Sequence, residues 1–389
     1  MKGVKKIISL VAAISMFSLA LAGCGSSTET SASSGSSVAP STSAVSSAAP
    51  SSTTNTAKPY IAVVSKGFQH QFWQTVKKGA EDAAKKYEVD MTFDGPPSES
   101  DINVQVDMIN SAIAKNPAAL ALAVLDTSSV TQQLNSCKDK KIPVIGFDSG
   151  IPNAPEGTLQ ATASTNNENA GALAADSMFK DPNFQAALKK ATTSNPVTIG
   201  VQSQDATSAS ILGRTVGFIN QMSKNCETLF AGQVAVTGHE KFKKDAASGK
   251  AAVNIFVTIP PSSNATDSQN ASQSLFNTKG LIAIFASNEA SVNGILAATT
   301  DGKDLDKANG KFKDIIVVGF DAGKAQKAAV KNGWFLGSVT QDPYQIGYLA
   351  VELAAKAIKG EKVADADTGC KFYNAANMGQ EDISILLYD

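Results

Sequence analysis

From Lys58 onward, short runs rich in Val and Ile alternate with helix-length segments, and this alternation constrains the chain more than any other feature. Strands linked through helices belong to parallel sheets, because a crossover between parallel strands needs the room a helix takes. The runs are continuously apolar, as in strands covered on both faces. The first series reads YIAVVS (60–65), VDMTF (89–93), AALALAV (118–124) and PVIGF (143–147). Between these runs, Phe72, Val76, Ala80, Ala83 and Tyr87 share one helix face, and Ile102, Val106, Ile109 and Ile113 share another. A third helix is expected around 128–140. A second series starts near Pro196 with VTIGV and a helix through Leu212, Val216 and Ile219. QVAVT, VNIFVTI, LIAIFA and IIVVGF follow, each pair separated by a helix-length segment, and FLGSVT with a helix from 343 to about 359 completes the series. The expected fold is α/β, with two similar lobes that are each a parallel sheet flanked by helices.

Two strands, one in each series, end alike: PVIGFDSG at 143–150 and IVVGFDAG at 316–323. In open α/β sheets, ligands bind beyond the carboxyl ends of the strands. The residues found there are Ser65, Asp126, Asp148, the QSQD at 202–205, Asn288, Asp321 and Gln341, a small, polar set rich in acceptors. An aspartate after a strand often caps the next helix. The recurrence of Gly-Phe-Asp in equivalent positions favours ligand contact for Asp148 and Asp321, since carboxylates make strong charge-assisted bonds to hydroxyls. In KGFQHQFWQTVKKG (66–79), Phe72 and Trp73 are adjacent at the start of a helix, where two neighbours cannot both face one core. Either one ring is core and the other a staple, or a ring stacks on the C–H face of a sugar. His70 is a hydroxyl partner or a plain loop residue. Arg214 lies on one face of its helix, either in a surface salt bridge or holding several ligand oxygens with its planar fork. Asn288 can cap its helix and face the cleft at once, having both donor and acceptor ends.

The chain of 389 residues has room for two core-bearing lobes, and its net charge of −1 and lack of basic runs beyond the first residues give no sign of a nucleic-acid partner. With two histidines and four scattered cysteines there is no metal-ligand spacing, so neither metal nor cofactor is expected. Lys2, Lys5 and Lys6 precede an apolar stretch that closes on LAGC at 21–24. This reads as a secretory signal of residues 1–23, and the small residues before Cys24 resemble the lipobox of bacterial lipoproteins. That resemblance implies cleavage before Cys24 and lipidation of its thiol. Residues 24–57, nearly all Ser, Thr, Ala, Gly and Pro, are expected to form a disordered tether that spans about 30 Å. The expected location is the outer face of the cell membrane, with the tether length suiting a Gram-positive surface. Cys137, Cys226 and Cys370 then remain, an odd number, and no disulfide is assigned.

Over residues 58 to 389 the chain resembles the ribose-binding type of periplasmic sugar-binding protein, the type I substrate-binding component of bacterial ABC importers. The likeness rests on FQHQFWQTVKKGAEDAAKK, IPVIGFDSG, DATSASILGRTVGF, IFASNEASVNGI, VVGFDAG and VTQDPYQIG, in that order. It implies sugar contacts by Phe72, Trp73, Asp148, Arg214, Asn288, Asp321 and Gln341, with His70 at a position the family fills with asparagine. Ser149 stands where ribose binders usually carry arginine, and PSSNATDSQ (261–269) lacks the aromatic expected from the second lobe. The resemblance also implies a monomer whose lobes close on one monosaccharide and deliver it to a membrane-embedded permease. Three hinge crossovers are expected near 161–164, 339–342 and 370–374, dividing a lobe of 58–162 plus 341–373 from one of 163–340 plus 374–389. Three alternatives differ in class. A glycosidase could use Asp148 and Asp321, but Arg214 nearby would depress a carboxylate rather than raise it, and an enzyme is not expected. A sugar-responsive repressor would need a DNA-binding helix-turn-helix in place of the N-terminal leader. The same fold could instead hold a furanosyl signalling molecule or present sugar to a membrane sensor.

Overall fold

The computed structural model describes residues 57–68 and 70–388. The leader, Cys24 and the Ser/Thr-rich segment lie outside these residues. The first lobe is built from β1 (Tyr60–Val64), α1 (Gln71–Tyr87), β2 (Asp90–Asp94), α2 (Ile102–Ala114), β3 (Ala119–Leu122), α3 (Thr131–Asp139), β4 (Val144–Phe147) and β5 (Leu159–Ser164). The second lobe follows with α4 (Asn167–Phe179), α5 (Pro182–Leu188), β6 (Val197–Gln202), α6 (Ala209–Glu227), β7 (Val234–Thr237), β8 (Val253–Thr258), α7 (Ala265–Phe276), β9 (Leu281–Ala286), α8 (Glu289–Ala298), β10 (Ile316–Phe320), α9 (Lys324–Lys331) and β11 (Gly337–Gln341). The chain then returns to the first lobe with α10 (Pro343–Ile358) and β12 (Ala366–Asp367), and ends with β13 (Cys370–Tyr373) and α11 (Glu381–Ser384).

The first sheet has the order β2-β1-β3-β4-β5-β12 and is parallel throughout. The second has the order β7-β8-β6-β9-β10-β11-β13, with only β13 antiparallel. Every residue of β3, β4, β6 and β10 is buried, as the continuous apolar runs require of strands covered on both faces. Both lobes place a topological switch beside their first strand, β1 between β2 and β3, and β6 between β8 and β9. The carboxyl ends of these strands therefore define where a ligand can sit.

Three crossings join the lobes: after β5 at 165–166, at Asp342 between β11 and α10, and at 368–369 between β12 and β13. The third comes earlier than the expected 370–374. Residues 370–373 pair with β11, Ser338 opposite Tyr373 and Gln341 opposite Cys370, so they extend the second sheet rather than the first. Residues 163–164 likewise stay in the first sheet, paired with β12, and Gln341 belongs to the second.

Two other expectations need correcting. Between β7 and β8 there is no α-helix, only a short 3₁₀ turn at Glu240–Phe242. Residues 238–252 carry glycines at 238 and 249 and lysines at 241, 243, 244 and 250, with no apolar stripe to pack on a sheet. In α6, the buried face holds Ile211, Arg214, Thr215, Phe218, Ile219 and Met222, while Leu212 and Val216 are half-buried and line a groove at the cleft mouth. Helix α4, unforeseen because its Ala-rich sequence has little apolar periodicity, packs on α6 through glycines. A Cβ on Gly171 would stand 2.1 Å from the Arg214 carbonyl oxygen, and one on Gly217 would stand 2.1 Å from that of Glu168. The two helix backbones touch, and this contact sets the height of Arg214 above the second sheet.

Candidate functional site

The repeated Gly-Phe-Asp is one local structure used twice. A Cβ on Gly146 would lie 2.8 Å from Thr162 Oγ1 on β5, and one on Gly319 would lie 2.6 Å from Gln326 Nε2 and 3.1 Å from Ser338 Oγ on β11. Each glycine thus makes room for polar side chains packed against its strand. Phe147 and Phe320 are fully buried platforms beneath the site. Asp148 and Asp321 then turn into the left-handed region, with φ of 55° and 77°. Each is pinned there by its own N–H, which donates to Ala163 at 2.9 Å or to Val339 at 2.7 Å. A non-glycine residue held at positive φ costs of order 1 kcal/mol and is kept where surrounding bonds fix it. The turn lifts both carboxylates off the sheets; Asp321 does not cap α9, and Asp148 leads into β5 rather than a helix.

From the first lobe, Lys66, His70, Phe72, Trp73, Glu99 and Asp148 line a cavity; from the second come Ile211, Arg214, Asn288, Glu289, Asp321 and Gln341. Lys66 Nζ lies 2.9 Å from Asp148 Oδ2 as an ion pair and donates to Ser210 Oγ across the cleft at 3.0 Å. Trp73 Nε1 donates to Glu99 Oε1 at 2.7 Å, and the other Glu99 oxygen accepts from Gln204 Nε2 of the second lobe at 3.0 Å. Gln204 in turn accepts a short bond from Asn288 Nδ2, while Asn288 Oδ1 caps α8 through Ser291 N–H at 3.1 Å. Arg214 stacks 3.9 Å above the Phe320 ring and donates from Nε to Asn167 Oδ1 at 2.8 Å and from Nη1 to the Ser287 carbonyl at 3.2 Å. Its Nη1 also lies 3.8 Å from Asp321 Oδ2. Asp321 accepts from the Glu289 N–H at 3.0 Å and from Gln341 Nε2 at 2.8 Å. Gln341 Oε1 accepts from Thr165 Oγ1 at 2.9 Å, at the first crossing.

These bonds decide the charges. Burial works against the charge on Lys66, yet Asp148 and Glu99 hold its ammonium above the ordinary lysine value. Burial likewise opposes the Glu99 carboxylate, but Lys66, His70 and the bonds from Trp73 and Gln204 keep it below its usual range. For Asp321 burial wins over Arg214 and Gln341, and the carboxyl is raised. The free volume is about 20 Å³, room for a water molecule or two and far too little for a sugar ring. Further bonds cross between the lobes at Ser100 and Ser263, Thr207 and the Leu125 carbonyl, and Gln71 and the Lys324 N–H. The lobes are closed on one another, and entry of a ring requires them to part.

Ser65 and residues 202–205 of the strand-end set do not line this cavity; of the nine residues expected to contact ligand eight do, and Asp126 does not. Its Oδ1 accepts from the N–H groups of Ser128 and Ser129 at 2.7 and 3.0 Å, so the carboxylate is spent on its own loop ahead of α3. Phe72 and Trp73 are both buried in one core cluster, against the expectation that two neighbours could not both face one core, because the cavity edge gives each a separate neighbour. Phe72 packs on Tyr388, and Trp73 on Phe147. Lys66, Glu99, Ile211 and Glu289 were missed. Glu99 sits in the loop after β2, where only the rule of strand ends could have found it, and Lys66 directly follows Ser65, which that rule had singled out.

A family model described as "Periplasmic binding protein domain" matches residues 61–362, and the chain belongs to that family of extracytoplasmic binding proteins. Among curated proteins, a ribose import binding protein from Salmonella typhimurium is 28% identical over 317 residues, 80% of this chain and 89% of that one. Among solved structures, a Brachyspira murdochii protein described as "ABC transporter, LacI family transcriptional regulator" is 40% identical with a TM-score of 0.70, covering 85% of this chain and 99% of its own. An ABC transporter solute-binding protein from Agrobacterium vitis with bound D-fucose is 26% identical with a TM-score of 0.68, covering 85% and 100%.

Proposed function

We propose that this chain captures a monosaccharide between its two lobes and delivers it to the permease of an ABC importer, as a binding protein and not an enzyme. The observation that carries this reading is the pairing of Asp148 and Asp321, one from each lobe, on opposite walls of a single cavity. Carboxylates fixed in this way accept bonds from hydroxyls, and Arg214, Asn288 and Gln341 add donors beside them. Contacts from both lobes at once make the closed form the one that ligand favours. The ribose and fucose of the relatives support the same class of ligand. Phe72 and Trp73 supply apolar edges, and His70, 3.8 Å from Glu99, completes the first-lobe wall.

The leader of residues 1–23, lipidation of Cys24 and a tether to residue 57 would place the protein, as a monomer, on the outer face of a cell membrane, a Gram-positive one by tether length. The sequence around LAGC supports this. Incorporation of labelled palmitate that is lost in Cys24→Ser tests it.

The function is tested by thermal shift of the purified protein against pentoses, hexoses, deoxyhexoses and polyols, with Trp73 fluorescence as a second readout. A ligand that binds only the folded state raises the melting temperature by mass action. One sugar giving a clear shift establishes capture. Failure of every monosaccharide, with a shift from a furanosyl signalling molecule instead, moves the same cleft to a signalling role.

A further inference from the structure

Four carboxylates line the cavity: Glu99, Asp148, Glu289 and Asp321. Three of them face a basic group. Asp148 has Lys66 at 2.9 Å, Asp321 has Arg214 at 3.8 Å, and Glu99 has His70 at 3.8 Å. The fourth, Glu289, is 7% exposed, and its Oε2 is buried without a hydrogen-bond partner among the described residues. Around it stand the N–H groups of Gln71 and Phe72 at the start of α1, the Asp321 carboxylate, the phenols of Tyr373 and Tyr388, and His70, which it shares with Glu99. With His70 neutral the cavity holds two cations against four carboxylates, and with His70 charged it holds three against four. In either state the walls are net negative; of the two carboxylate oxygens that accept no hydrogen bond among the described residues, Asp148 Oδ2 has the Lys66 ammonium at 2.9 Å and Glu289 Oε2 has no such cation. A buried carboxylate left without a partner is costly, so what binds here should bring both a donor and a positive charge.

We infer that the monosaccharide held in this cleft carries a protonated amine, as an amino sugar or a sugar with nitrogen in its ring, and that Glu289 receives the ammonium. This rests on the monosaccharide-capture reading and narrows it. An ammonium offers three donors where a hydroxyl offers one, and its charge completes the balance that Lys66, Arg214 and His70 leave open. Burial pushes the Glu289 carboxyl up to about 6, as befits a buried carboxylate short of a counter-charge. Ser149, beside Asp148, adds no cation to the wall, and among the described residues Lys66 is the cation paired with Asp148.

The test compares matched ligands by calorimetry on the purified protein at pH 7. Glucosamine, galactosamine and mannosamine are each paired with the parent hexose and its N-acetyl form, and ring-nitrogen analogues of hexoses and pentoses are paired with their parent sugars. The expected result is that at least one amine binds about tenfold or more tightly than its neutral parent, and that Glu289→Gln brings that ratio close to one. Thermal melts of E289Q establish that it is folded, and the readout is a ratio within one protein, so a general loss of affinity does not mimic the effect. If a neutral sugar binds and every matched amine binds equally or more weakly, the inference is overturned while sugar capture stands. An amine preference unchanged in E289Q removes Glu289 from the role and overturns it as well. If no sugar of either kind binds, the capture reading falls with it.

Discussion

Asp148 and Asp321 occupy equivalent ends of β4 and β10 with the same left-handed backbone, each fixed by an N–H bond to the next strand and each beside one buried cation. Their partners come from different places: Lys66 from the loop after β1, and Arg214 from the second turn of α6. The two walls are thus alike in backbone but distinct in chemistry.

Removing either carboxylate is expected to weaken sugar binding. Asp148→Ala and Asp321→Ala each lose bonds to a charged acceptor, a cost of about 1.5–3 kcal/mol, or roughly ten- to a hundredfold in Kd. Calorimetry with the sugar that the panel identifies measures this. Wild-type affinity in either variant would remove that residue from the site.

The Lys66–Asp148 pair is expected to show strong coupling in stability. Lys66→Met strands a buried carboxylate and is expected to cost about 3 kcal/mol or more, whereas replacing both partners by apolar residues recovers the part due to Asp148 and leaves the part due to Glu99, which Lys66 also holds. Urea unfolding of K66M, D148L and the double variant closes the cycle. Additive losses would mean that the ion pair has no special weight.

Glu289 gives a pH dependence of definite sign. Its folded value of about 6 lies above the ordinary 4.5, because burial outweighs the help of His70. The folded state therefore prefers the protonated acid. The stability from this group is full below pH 4.5 and is lost as pH rises through about 6, a change of about 2 kcal/mol. Glu289→Gln lacks this loss, so its stability relative to wild type is expected to improve by that amount between pH 4 and pH 7. A constant difference across the range would contradict it.

Gly217→Ala places a methyl 2.1 Å from the Glu168 carbonyl, and neither backbone can yield without shifting α4 against α6. The expected cost is about 2–3 kcal/mol. Because Arg214 lies on the same helix, ligand affinity should fall as well. A variant as stable as wild type would mean that the helix pair is more compliant than its contact distance implies.

Asp126→Ala is the contrasting case. It removes a loop cap worth about 1 kcal/mol and leaves ligand affinity unchanged, since the carboxylate binds Ser128 and Ser129 and lines no part of the cavity.

The strands were legible because burial on both faces writes continuous runs such as VTIGV and IIVVGF into the sequence. Strand ends then led to Asp148, Asn288, Asp321 and Gln341. Asp126 fitted the same rule and failed it, because nothing in local sequence separates a carboxylate that faces a cleft from one that closes its own turn. Glu99 and Glu289 were hidden for a different reason. Their meaning depends on residues distant in sequence, Trp73 and Gln204 for one, and the start of α1 for the other. Helix α4 was hidden by its small residues, since a helix that packs backbone to backbone has no large apolar stripe to announce it.

The bond from Thr165 to Gln341 joins the pivot of the molecule to its binding wall, since Gln341 also holds Asp321. Thr165 contacts Thr368 and the Gly369 carbonyl as well, so two of the three crossings meet at one hydroxyl, beside the end of the strand that leads into the third. A rotation of one lobe against the other must therefore pull on the same amide that positions the carboxylate. Whatever engages that carboxylate stiffens the axle. In this protein, occupancy and posture are a single mechanical coordinate, read at one glutamine.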